Sequence, residues 1–120
     1  MKSGWIDYSG KKIFFADYSH FTDFEAFKAE VDAVTGITIK EPKKSVLLLV
    51  DVTDTIGESE MVNYLKESAG ADDENMKKVA VVGVSGYRRI FLRAVIQFTS
   101  LDVKTFDTLD AAKDWLVQED

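Results

Sequence analysis

Apolar and polar positions along the chain change period several times, and each change marks an element. Val46-Leu47-Leu48-Leu49-Val50 is an unbroken aliphatic run between polar residues, the pattern of a strand buried on both faces. Val79-Ala80-Val81-Val82-Gly83-Val84 repeats it. Trp5 to Tyr8 and Ile13 to Ala16 are short aromatic-rich runs on either side of Ser9-Gly10-Lys11-Lys12. They predict a hairpin with Gly10 in the turn, its second strand ended by Asp17-Tyr18-Ser19. Val103 to Phe106 predicts one more short strand.

Between these runs the period becomes helical. Thr22-Asp23-Phe24-Glu25 has the spacing of a capping box, and Phe24, Phe27, Val31 and Val34 follow on one face. Thr35-Gly36 is the expected stop. The single proline, Pro42, lies in the linker Lys40-Glu41-Pro42-Lys43-Lys44 that feeds the first aliphatic strand. Met61, Leu65 and Ala69 keep a helical period that Gly70 closes, and Asp72-Asp73-Glu74 reads as a solvated acidic loop. A third helix is expected from about 85 to 98. Asp107 or Thr108 caps a last one, with Leu109, Ala112, Trp115 and Leu116 facing inward. The order ββαβαβαβα predicts an α/β fold, one domain over 1–120, with a mixed, mostly parallel sheet packed with helices. Helices are expected on both sides of Val46–Val50.

Charge and cysteine content narrow the function classes. Fifteen Lys and Arg stand against 21 Asp and Glu, a net charge of −6, so the basic field that nucleic-acid binding needs is missing. With no cysteine and one histidine, thiolate metal sites and Cys–His catalysis are excluded. A serine triad would rest on His20 alone, which reads as a solvated loop residue. No apolar run reaches the length of a membrane span, and the start lacks a signal-peptide pattern. A soluble cytoplasmic protein that binds no nucleic acid is expected.

Candidate chemistry falls in two places. Ligands of open α/β sheets collect where strands end. There Asp51, Thr53, Asp54 and Thr55 precede a helix whose first turn carries Ser59. Ser85 and Gly86 follow the second aliphatic strand, where backbone amides at a helix start can meet an anion. These seven residues form a candidate ligand or anion edge, against the plainer reading that they are turn and cap residues. The spacing matches no metal loop, P-loop or Gly-x-Ser-x-Gly elbow, so no cofactor, metal or catalytic residue is expected. The second place is the helix near 85–98. Tyr87, Ile90, Phe91, Ala94, Val95 and Phe98 make its apolar face, while Leu92 and Ile96 point elsewhere, among Arg88, Arg89 and Arg93. Exposed aliphatics flanked by arginines predict an interaction surface for a second subunit, a partner or a lipid headgroup layer.

The segments Ile13 to Ser19, Val46 to Asp51, Lys78 to Gly83 and Phe106 to Leu116 together resemble the SpoIIAA-like proteins, small bacterial domains grouped with the STAS and Sec14 (CRAL-TRIO) folds. The resemblance spans nearly the whole chain. It implies a mixed sheet stacked with helices and no established catalytic function. STAS-class anti-sigma-factor antagonists carry a phosphorylatable serine in Asp-Ser-Ser/Thr-Gly after a strand ending in Asp. Asp51 matches that strand end and Ser59 falls near the serine, but Ile56-Gly57-Glu58-Ser59-Glu60 departs from the motif. Its glutamates would also repel a phosphate. The expectation is a non-catalytic regulatory or protein-interaction module, self-associating as a homodimer through the helix near 85–98. The alternative is a small-molecule or lipid-binding domain, with a pocket at Tyr18, Phe21, Phe24 and Phe27.

Overall fold

The computed structural model describes residues 1–55, 59–71, 73–84 and 103–118. Strands β1 (Gly4–Tyr8) and β2 (Lys11–Asp17) pair antiparallel, from Tyr8 opposite Lys11 to Gly4 opposite Phe15. The turn is therefore only Ser9 and Gly10, at φ 50° and 80°. Positive φ at both central residues is what a tight hairpin turn requires. The expected four-residue turn is corrected: Lys11 and Lys12 are strand residues.

Helix α1 (Phe24–Thr38) is capped by Asp23 rather than Thr22, with the Asp23 carboxylate accepting from the Ala26 amide at 3.0 Å. A carboxylate is a good cap and also complements the helix dipole. The stop expected at Thr35-Gly36 fails as well, because the helix continues through Gly36 to Thr38. Thr38 is fully buried and donates to the Val34 carbonyl at 3.1 Å, and Ile37 packs on the core. Burying Thr38 and packing Ile37 outweigh the roughly 1 kcal/mol that glycine costs inside a helix.

The chain continues as β3 (Val46–Asp51), α2 (Ser59–Ala71), a 3₁₀ turn (Asp73–Asn75) and β4 (Met76–Val82). It ends as β5 (Val103–Phe106) and α3 (Leu109–Leu116). Gly70 lies inside α2 rather than closing it, and β4 starts at Met76 and leaves Gly83 and Val84 outside. Asp73 and Glu74 belong to the 3₁₀ turn, where the Glu74 carbonyl accepts from the Lys44 amide at 2.9 Å. Thr108, one of the two expected caps of α3, accepts from the Ala111 amide at 3.1 Å. The third helix expected near 85–98 lies outside the described residues.

The five strands lie in sequence order, with β2, β3, β4 and β5 parallel. Crossovers of one hand that keep stepping the same way put their helices on one face. Accordingly α1 and α2 share a cluster with Phe14, Ala16, Val46, Val79 and Val81. Reversal after β5 sends α3 to the other face, onto Ile13, Leu47, Leu49, Ala80 and Val82. Strand β3 feeds both clusters with alternate residues, so the aliphatic run is the central strand it was read to be.

Candidate functional site at the carboxyl edge

Parallel pairing brings the ends of four strands into one row, Asp17 beside Asp51, Asp51 beside Val82 and Val82 beside Phe106. The candidate residues Asp51, Thr53, Asp54 and Thr55 all lie at this edge or just beyond it. Asp51 does not reach outward. Its Oδ1 accepts from the Thr53 amide at 2.9 Å and from the Thr53 hydroxyl at 2.6 Å. One strand over, Asp17 Oδ1 accepts from the Ser19 amide at 3.1 Å and the Ser19 hydroxyl at 2.5 Å. Asp-x-Ser/Thr thus closes the same turn twice, on neighbouring strands, because a short carboxylate can reach the backbone two residues on.

The two loops then stay paired. Tyr18 N donates to Asp51 O at 2.9 Å and His20 N to Thr53 O at 2.8 Å. His20 and Asp54, each following a turn, take the left-handed backbone at φ 60° and 57°. Their side chains stand 3.6 Å apart and are 65% and 70% exposed, so the pair adds little stability. Thr55 is buried, its hydroxyl donating to the Tyr18 carbonyl and accepting from the Phe21 amide at 3.1 Å. The third loop begins at Gly83, φ 90°, whose backbone lies against Thr53.

Several contributors at this edge carry no motif. Because β1 runs antiparallel, the residues before Gly4 arrive here too. Lys2 Nζ donates to the Ser19 carbonyl at 2.5 Å, lies 3.6 Å from Asp17 Oδ1 and sits 4.4 Å from the centre of the Phe21 ring. Glu30 of α1 is buried and holds the backbone of Lys2 and Ser3. Glu30 was invisible in the sequence, since a glutamate at that helix position reads as solvent-facing. The duplicated Asp-x-Ser/Thr was a usable signal.

Other candidates are placed differently. Ser59 opens α2. Ser85, Gly86, Arg88, Arg89, Leu92, Arg93 and Ile96 lie outside the described residues. The aromatic residues proposed to line a pocket pack on one another instead. Tyr18 and Phe21 place their ring centres 5.7 and 5.8 Å from that of Phe27, which is 1% exposed. Phe24 stands edge-on to Tyr64 at 6.0 Å. Among the described residues, no three His, Asp or Glu side chains converge as a metal site would require. No described helix is long and apolar enough to cross a membrane.

This is a small α/β domain with a mixed five-stranded sheet, in which Asp17 and Asp51 hold the loops at the carboxyl edge. A family model described as SpoIIAA-like matches residues 12–117. The chain belongs to the SpoIIAA-like family. Its fold is similar to the crystal structure of an uncharacterized protein from the DUF3478 family, with a SpoIIAA-like fold, from Shewanella loihica PV-4. That similarity has a TM-score of 0.65 and 20% identity over 95% of this chain and 91% of the other. No curated protein matches the sequence.

Proposed function

We propose that this domain is a non-catalytic regulatory module that works by protein interaction, with self-association through the segment 85–98. The observation that carries the reading is the inward use of polar groups at the carboxyl edge. Asp17 and Asp51 are engaged by Ser19 and Thr53, and the Thr55 hydroxyl by two backbone groups. A catalytic edge aims such groups at a substrate. Here they fix loops, which leaves recognition to the outer surface. The sequence pattern nominates the surface, with Leu92 and Ile96 set off the apolar face among Arg88, Arg89 and Arg93. The small-molecule or lipid alternative draws no support from the packed rings of Tyr18, Phe21 and Phe27.

Light scattering across a concentration series tests the reading. A dimer mass that falls to the monomer in Leu92→Glu with Ile96→Glu, with unchanged circular dichroism, supports it. A monomer at every concentration ends the self-association part. Native mass spectrometry of freshly purified protein decides the alternative, since a retained small molecule would favour a binding domain.

A further inference from the structure

We infer that the N-terminal strap, Met1 to Ser3, is a conformational latch that holds the carboxyl-edge loops in place. The anchor is Glu30, which is only 7% exposed. Its carboxylate accepts from the Lys2 amide at 3.1 Å, the Ser3 amide at 2.9 Å and the Ser3 hydroxyl at 2.6 Å. Ser3 is itself buried, and its oxygen accepts from the Asp17 amide at 2.9 Å. The anchor thereby reaches the last residue of β2, where the first Asp-x-Ser turn starts.

From Asp17 the connection runs on without a break. Lys2 donates to the Ser19 carbonyl and covers the Phe21 ring. His20 and Phe21 donate to Thr53 and Thr55 of the next loop. Strap, β2–α1 loop and β3–α2 loop are therefore joined in series, with one buried carboxylate at the origin. Hydrogen bonds to a buried carboxylate are among the stronger ones in a protein, and their donors lose their partner together when the carboxylate is removed. The loops they hold include two non-glycine residues, His20 and Asp54, at left-handed φ. Such conformations persist only while surrounding contacts enforce them. Release of the strap relaxes both, so an event at the N-terminus changes the shape of an edge built from residues 17–21 and 51–55.

Hydrogen exchange read amide by amide tests this on the full chain, using Glu30→Met and Lys2→Met. In Glu30→Met, which keeps the stem and removes both acceptor oxygens, exchange is expected to rise about tenfold or more at Ser3, His20, Phe21 and Thr53. Exchange at Ser45 and Val117, whose bonds lie at the opposite end of the sheet, stays at its original rate. In Lys2→Met the rise is confined to Ser19 through Phe21 and the second loop, with Ser3 still protected by Glu30. An increase limited to Lys2 and Ser3 would overturn the latch, because the loops would then hold themselves. An equal rise at every amide would overturn it too, reducing Glu30 to a contributor to global stability.

Discussion

Asp17 and Asp51 are direct partners in the parallel pairing of β2 with β3, and each turns its carboxylate onto the hydroxyl-bearing residue two positions on. Each carboxylate accepts two hydrogen bonds within its own turn. Asp51→Ala removes an acceptor for an amide and a hydroxyl that are partly buried. It is expected to lower stability by about 1–3 kcal/mol, while Asp51→Asn, which keeps an acceptor oxygen, loses less. Urea unfolding monitored by fluorescence reads this as a shifted midpoint at constant slope. An unchanged midpoint in the alanine variant would show that water replaces the carboxylate without loss.

Gly83 gives a sharper prediction for the same edge. A side-chain carbon built there would lie 2.5 Å from the Thr53 amide nitrogen and 2.8 Å from its Cα. Backbone atoms cannot swing aside as a side chain can, and φ is +90°, outside the range a substituted residue adopts easily. Gly83→Ala is expected to destabilise by roughly 2–4 kcal/mol, the sum of conformational strain and overpacking. Thr53→Ala in the same chain should recover little of it, since the closest fixed obstacle is backbone. Paired thermal melts of the single and double variants measure that difference.

How much of this was legible in advance follows from what each residue touches. The aliphatic runs announced β3 and β4 because a strand buried on both faces has no other pattern, and Asp51 announced the strand end. Ends of α1 and α2 were misplaced because Gly36 and Gly70 signal a stop locally. At α1 the packing of Ile37 and the burial of Thr38 are a tertiary gain that no local rule contains. Glu30 and Lys2 were missed for the same reason. Their partners are 27 and 17 residues away in the chain, at Ser3 and Ser19, and become neighbours only when β1 folds back against β2. The arrangement of the edge was half legible: the acidic and hydroxyl residues were visible, but not that they would face one another.

Tyr64 joins α2 to α1, its hydroxyl donating to Asp32 of α1 while Lys28 stands 5.7 Å from the ring centre. The hydrogen bond to Asp32, with desolvation and the Asp32 charge behind it, pushes the phenol up to about 12 from 10.0. The folded state therefore favours the neutral ring. Its contribution is whole below pH about 10 and is lost as the pH rises through about 12, the unfolded chain ionising first. Ultraviolet titration should show a late-ionising component near pH 12 that disappears in Tyr64→Phe and returns toward 10 in Asp32→Asn. If Asp32→Asn leaves the titration unmoved, the hydrogen bond is not the cause of the shift. Tyr8, raised by its 2.5 Å bond to Asp114, should respond to Asp114→Asn and not to Asp32→Asn.

Lys78 reaches from the sheet to the end of α3. It projects from β4 on the α3 face, is 5% exposed, and donates to the carbonyls of Trp115 and Gln118 at 3.2 and 3.1 Å. These carbonyls belong to the last turn and its exit, where acceptors lack partners within the helix and the dipole favours a cation. The ammonium also lies 5.1 Å from the Trp115 ring centre, with Lys104 at 5.2 Å from the same ring. A lysine set on the sheet therefore fixes the end of a helix of only 8 residues, too short to hold itself in water. Lys78→Met keeps the apolar stem and removes the charge and its donors, so the expected loss is about 1–3 kcal/mol. Much of that loss should be local. Trp115 fluorescence is expected to change, and exchange of the Val117 amide to rise, before the sheet unfolds. Were the variant to melt in a single step at the original temperature with Trp115 unaltered, α3 would be held without the help of Lys78.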